Sequence, residues 1–271
     1  MWWLIVIILV IIVVFAVNNN KSQNQNTDTY NGEKVVYRSN YITMTENFND
    51  SPDFEKKTEL TEDNSLSDYY FKKMIFEKSV TNEPYFLIFD CETTGKPRDG
   101  KVNRIVQLSW IILDKNFKQI KEASYYLNPQ KPIPPETTKI HHITDEIVQN
   151  LSTPHIDVLN EFHEDLKKCK FFIAHNYEFD ASRVDMETRK LKLTDVEILI
   201  NNPKSICTMH SSVKFCKLEP KIYGEYKLPK LEELAWECGF FITQKHDALS
   251  DVLVTARCFE YLVNNKKIKK V

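Results

Sequence analysis

The hydrophobic pattern divides the chain into three stretches of unlike character. From Trp2 to Val17 every residue is apolar, and a helix over residues 1–17 would be about 24 Å long at about 1.5 Å per residue, close to the thickness of a bilayer core. This reads as a transmembrane anchor. No Lys or Arg precedes the run, whereas Lys21, Lys34 and Arg38 follow it, which argues against a cleaved signal peptide and places the rest of the chain in the cytoplasm. The alternative is export after cleavage near Val14-Phe15-Ala16. Residues 18–80 are rich in Asn, Ser, Thr, Asp and Glu and read as a disordered polar tether, too poor in aliphatic surface to offset chain entropy. Within it Tyr70, Phe71, Met74 and Ile75 recur at near-helical spacing, predicting a short amphipathic helix over 66–78 that packs on the domain that follows.

The third stretch, 81–271, carries the patterns of a globular domain. Apolar runs predict strands over Tyr85–Asp90, Arg104–Leu113 and Glu122–Leu127, joined by short turn-rich connectors into an antiparallel meander. Helical periodicity follows over Asp145–Asn150 and Ile156–Lys168, so the next apolar run, Phe171–Ala174, is a fourth strand that pairs in parallel after a crossover. A short fifth strand falls at Lys204–Thr208, with helices over Ala181–Leu191, Leu231–Cys238 and Leu249–Leu262. The order predicts an α/β domain with a mixed five-stranded sheet flanked by helices.

Composition narrows the chemistry. A formal net charge of -2 excludes a broad basic coat for nucleic acid, though not a small site gripping one strand end. The six cysteines lack C-x-x-C spacing and read as reduced, buried thiols. Cys207-Thr208-Met209-His210 is a solitary hint of a zinc half-site, with no second ligand pair nearby.

The chemistry-bearing stretch is Phe86 to Gly95, where an apolar run ends in Asp90 and Glu92. Alternate residues of a strand share a face, so the two carboxylates emerge together while Cys91 points away. Clustered hard oxygens suit a divalent ion such as Mg²⁺ or Mn²⁺. Asp-x-Glu also arises by chance at a solvent-exposed strand end, and the pair alone does not decide. Asp180 follows the fourth strand within His175-Asn176-Tyr177-Glu178-Phe179-Asp180, where it could equally cap a helix. His246 and Asp251 lie five residues apart in His246-Asp247-Ala248-Leu249-Ser250-Asp251; they converge on one site only if His246 precedes the helix and Asp251 lies in it.

These three segments, in this order, resemble the three exonuclease motifs of the DEDDh 3′-to-5′ exonuclease superfamily, which includes the proofreading subunit of bacterial DNA polymerase III. The resemblance covers about Glu83 to Asn264, with supporting matches at Arg104–Gln107, Lys139–Thr144 and Lys227–Leu231. It implies a ribonuclease H-like fold and release of nucleoside 5′-monophosphates from DNA or RNA 3′ ends. It implies further that Asp90, Glu92, Asp180 and Asp251 hold two Mg²⁺ or Mn²⁺ ions and that His246 is the general base. Thr93, Thr94 and Asn176 would contact the terminal nucleotide. Lys96 stands where many relatives carry an apolar residue, and with Arg98 it offers positive charge for phosphate. His142 replaces a glycine common in relatives. The alternative reading is a non-catalytic nucleic-acid-binding module, or a proofreading module partnered with a DNA polymerase.

Overall fold

The computed structural model describes residues 26–30, 33–37, 42–45, 74–95, 103–220, 226–244 and 246–268. The expected anchor over 1–17 lies outside the described residues, as do Lys96 and Arg98. Among the described residues no helix is long and apolar enough to cross a membrane.

The stretch read as a disordered tether instead carries three short strands. β1 (Asn26–Tyr30) and β2 (Glu33–Tyr37) pair antiparallel in a unit of their own, Met1–Asn40. Thr27, Thr29, Tyr30, Val35, Val36 and Tyr37 supply the β-branched and aromatic content that strands favour, and Asn31-Gly32 between them is a hairpin signal that average composition conceals. β3 (Ile42–Thr45) belongs to the second unit, Tyr41–Val271.

The centre of that second unit is a five-stranded sheet. β4 (Phe86–Thr93), β5 (Ile105–Leu113) and β6 (Gln119–Tyr126) form the expected meander. After α1 (Pro135–His141), α2 (Asp145–Leu151) and α3 (His155–Lys168), the crossover delivers β7 (Phe171–Ala174) parallel to β4. α4 (Tyr177–Lys190) then leads to β8 (Ser205–Cys207), parallel to β7, so the order is β6-β5-β4-β7-β8. The chain continues through α5 (Thr208–Cys216), α6 (Leu231–Glu237) and β9 (Phe241–Gln244), which pairs antiparallel with β3, and closes with α7 (Ala248–Asn264).

β5 is buried along its whole length because both faces of the sheet are covered. On one face Val158, Leu159, Phe162 and Leu166 of α3 pack on Leu87, Phe89, Leu108 and Trp110. On the other, Leu249, Val252, Leu253, Ala256 and Phe259 of α7 pack on Phe86, Ile88, Ile111 and Ile173. A satellite core of α5, α6 and α7 includes Cys216, Cys238 and Cys258. All six cysteines are free, and Cys207 and His210 join no metal-ligand cluster among the described residues.

The start of the domain differs from the helical expectation for 66–78. Met74 is helical as expected, but the helix does not run on to 78: residues 75–77 lie in neither helix nor strand, with Met74 and Phe76 buried and Ile75 between them exposed. Residues 66–73 lie outside the described residues. The packing partner is α7, whose Arg257 donates to the Ile75 carbonyl at 2.7 Å and lies over the Phe76 ring at 3.7 Å.

Besides β1, β2 and β3, three elements of the globular domain went unread in the sequence: α1, α5 and β9. α1 follows a proline cluster that looks like a breaker, yet Pro135 occupies the first turn, where a missing N–H costs nothing. α1 ends just before position 142, where the resemblance leads one to expect a glycine. His142 is its C-cap at φ 60° and ψ 10°, a left-handed conformation, with its N–H bonded to the Thr138 carbonyl.

Candidate active site

The end of β4 is the floor of the site. Asp90 and Glu92 are half-buried and face one side, and Cys91 and Thr93 turn into the protein. β7 ends at Ala174 beside this edge, and Asn176, at φ 64° and ψ 47°, reverses the chain sharply into α4. The turn sets Asp180 in the first helical turn with only 2% of its surface exposed. Its carboxylate is not spent on capping its own helix. Asp180 Oδ1 accepts from the Cys91 backbone N–H at 3.1 Å and from Cys91 Sγ at 3.2 Å. The thiol read as pointing away from the acidic pair thus donates to the third carboxylate.

α7 brings the last two groups. Its N-cap is Asp247, whose side chain accepts from the Ser250 N–H, so the helix begins at Ala248. His246 therefore precedes the helix and is exposed, while Asp251 sits within the first turn and is buried. Ligand atoms of Glu92, His246 and Asp251 all lie within 4.8 Å of one another. Asp90 and Asp180 line the same cleft of about 760 Å³, together with His175, Asn176, Phe179, Met209 and Leu228 to Glu232.

The electrostatics of this cleft are those of unneutralised acid. Burial, then the Asp180 and Asp247 charges, push the Asp90 carboxyl far above the usual carboxylate range. Burial, then Asp90 and Asp251, do the same to Glu92. Burial raises Asp180 to about 7 against the lowering effect of its two bonds from Cys91. Lys230 is the single Lys or Arg among the described residues lining the cleft, and its Nζ is 3.2 Å from Glu232. Convergent carboxylate oxygens with one imidazole, raised by mutual repulsion, are a donor set that fits hard divalent cations.

The expected substrate contacts divide. Asn176 is exposed on the cleft. The Thr93 hydroxyl donates to the Gly95 carbonyl at 2.9 Å, and the Thr94 hydroxyl accepts from the Arg104 N–H at 3.0 Å, so both side chains shape the β4 turn. That turn is further pinned by a buried forked ion pair between Arg104 and Glu187 of α4. His175 ties together segments that line the cleft: Nδ1 pairs with the Thr208 hydroxyl at 3.0 Å and Nε2 meets the Pro229 carbonyl at 3.1 Å. Burial lowers its pKa to about 4, which keeps the ring neutral. Cys91, Gln107 and Asp247 were not singled out as site residues; adjacency to a motif residue was the available signal for Cys91 and Asp247.

A mixed sheet that gathers acidic groups from a central strand, a crossover helix and a C-terminal helix defines the class as a ribonuclease H-like nuclease. A family model described as Exonuclease (RNase_T) matches residues 87–259, and the chain belongs to that exonuclease family, within the DEDDh group. It is 30% identical over 181 residues to the 3'-5' exonuclease DinG of Bacillus subtilis (strain 168), spanning 66% of this chain and 17% of that protein. It is 29% identical over 189 residues to a PolC-type DNA polymerase III of Staphylococcus aureus (strain bovine RF122 / ET3-1), spanning 69% of this chain and 12% of the polymerase. The chain therefore matches only a small part of these relatives. Among solved structures, E. coli Exonuclease I in complex with a dT13 oligonucleotide shares the fold, with a TM-score of 0.54, 18% identity, and coverage of 65% of this chain and 40% of that one.

Proposed function

We propose that this chain is a divalent-metal-dependent 3′-to-5′ exonuclease that hydrolyses the terminal phosphodiester of a nucleic-acid strand and releases nucleoside 5′-monophosphates. The observation that carries this reading is the approach of Glu92, His246 and Asp251 ligand atoms to within 4.8 Å, in a cleft shared with Asp90 and Asp180. Asp90, Glu92, Asp180 and Asp251 are the residues that would hold two Mg²⁺ or Mn²⁺ ions. When bound, such ions supply Lewis-acid charge that offsets the negative charge developing on the phosphate oxygens.

The chain's own residues do the rest. His246, exposed and lining the cleft, would take the proton of an attacking water on a ring nitrogen, a role that suits imidazole near neutral pH. Asp180, tied to β4 through Cys91, keeps two of the acidic segments at a fixed separation. Asn176 is positioned to donate to the strand end, and Phe179, Met209 and Leu228 give the cleft an apolar side against which a base can lie.

The test uses the full chain with Mg²⁺ and oligonucleotides labelled at either end. Immediate release of a labelled mononucleotide from the 3′ label, progressive shortening of the 5′-labelled strand, and arrest by EDTA or Asp90→Ala are expected. Wild-type rates in Asp90→Ala would overturn the proposal.

A further inference from the structure

Opposite Glu92 in the β4/β5 ladder stands Gln107, at the register shift that separates Glu92 from Thr93. It is a buried amide, 2% exposed, that uses both ends of its side chain. Nε2 donates to Asp247 Oδ2 at 3.0 Å and to the Ser124 hydroxyl at 3.3 Å. Oε1 accepts from the Ala248 backbone N–H at 3.2 Å. The remaining Asp247 oxygen, Oδ1, accepts from the Ser250 N–H at 3.1 Å.

The two residues that Gln107 grips are the N-cap and first residue of α7, immediately after His246. His246 itself sits at φ 33°, a left-handed conformation that a non-glycine residue holds only where its surroundings over-determine it. An ordinary N-cap fixes a helix start to its own first turn and says nothing of where that turn lies on the sheet. Gln107 supplies that second constraint, because it joins the helix start to the strand position facing Glu92. The amide is also the side chain that this junction requires. Asp247 needs a donor, Ala248 needs an acceptor, and a glutamine offers both without adding charge to an acidic cleft.

We propose that Gln107 is a positioning residue of the exonuclease site, acting through Asp247 and Ala248 to hold His246 against Glu92 and Asp251. The inference rests on the exonuclease reading. A merely structural amide predicts loss of stability in proportion to loss of activity; positioning predicts loss of turnover with metal and substrate binding kept.

The experiment compares wild type, Gln107→Glu, Asp247→Asn and the double variant as full chains. Gln107→Glu turns the donor facing Asp247 into a second carboxylate. Asp247→Asn is a conservative change at a half-exposed cap, and Asn caps as well as Asp does. Each single variant is expected to lower kcat on the order of ten- to hundredfold, with KM and the Mn²⁺ midpoint for thermal stabilisation within about twofold of wild type. In the double variant the polarity is exchanged: the amide now at position 247 donates to the carboxylate now at position 107, which still accepts from the Ala248 N–H. It is expected to recover at least a third of wild-type kcat. Asp247→Asn at wild-type kcat, or a folded double variant no more active than Asp247→Asn, would overturn the positioning role. An inactive wild type that still binds Mn²⁺ would instead overturn the exonuclease reading on which it rests.

Discussion

Asp180 Oδ1 and the Cys91 backbone N–H lie 3.1 Å apart, with the Cys91 thiol 3.2 Å from the same oxygen. The contact crosses 89 positions of sequence and joins the end of β4 to the first turn of α4. Because the backbone donor belongs to the residue between Asp90 and Glu92, the bond fixes Asp180 relative to both of those carboxylates. Cys91 is therefore part of the acidic cage, although its side chain lies on the face of β4 opposite to theirs.

Removing the thiol tests how much of this bond matters. A hydrogen bond to a charged acceptor contributes about 1.5 to 3 kcal/mol, and a thiol, a weak donor, falls at or below the lower end. Cys91→Ala is expected to raise the Asp180 pKa further, because a bond that favours the charged form is lost, and to weaken Mn²⁺ binding about fivefold. Cys91→Ser keeps a donor and is expected to stay within about twofold of wild type. Mn²⁺ titrations of thermal stability at pH 7 read both, and equal midpoints for all three proteins would refute the role.

Metal removal should change the sign of the pH dependence of stability. Without metal, burial and mutual repulsion raise Asp90 and Glu92, and burial raises Asp180 to about 7. The unfolded chain has ordinary carboxylates near 4, so between about 4 and 7 these three carboxyls bind more protons in the folded protein than in the unfolded one. Stability in EDTA is thus expected to rise as pH falls from about 8 to about 7; nearer 6 and below, His141, His163 and His175, which burial lowers to about 4, titrate with the opposite sign. Saturating Mn²⁺ replaces those protons, so its stabilising shift in Tm should be larger at pH 8 than at pH 6. Equal shifts at both values would show that the carboxylates do not carry raised pKa values.

What the sequence disclosed follows from the range over which each interaction acts. The meander, the crossover strand and α3 were legible because their apolar periods are local and strong, as in Phe86–Phe89 and Ile105–Leu113. Asp90, Glu92, Asp180, His246 and Asp251 were legible through short motifs whose residues are neighbours in the chain. Gln107 ends the supporting match Arg104–Gln107, but its role was not legible, because its partners Asp247 and Ala248 lie 140 and 141 positions away. The hydroxyls of Thr93 and Thr94, which the resemblance assigns to the terminal nucleotide, close the turn after β4, a contact between neighbouring segments that the motif alone does not reveal. The β1–β2 pair was lost to averaging, since a polar window hid the Asn31-Gly32 signal.

The buried pair of Arg104 and Glu187 is expected to be among the costliest positions to break. Arg104 Nη2 donates to Glu187 Oε2 at 2.9 Å, Nε donates to the other carboxylate oxygen, and Nη1 reaches the Pro129 carbonyl at 3.3 Å. Glu187 is 1% exposed, so Arg104→Met would leave a buried carboxylate without its counter-charge, at a cost of about 3 kcal/mol or more. Replacing both, as Arg104→Met with Glu187→Met, removes the uncompensated charge and is expected to recover part of that loss. Urea unfolding of the two variants decides the matter; a double variant less stable than the single one would contradict it.

His142 offers a stabilising change rather than a damaging one. It holds φ 60° as the C-cap of α1, and its N–H reaches the Thr138 carbonyl at 2.8 Å. Left-handed backbone costs an ordinary residue about 1 to 2 kcal/mol, whereas glycine adopts it freely and loses part of the gain to greater entropy in the unfolded chain. No hydrogen bond that shapes the cleft depends on this backbone N–H, since its bond closes the end of α1. His142→Gly is accordingly expected to stabilise the protein by about 0.5 to 1 kcal/mol. The imidazole ring is lost with no change at Asp90, Glu92, Asp180, His246 or Asp251, so kcat should stay within about twofold. A fall in the urea midpoint would mean that the His142 side chain contributes more to the fold than its backbone strain removes.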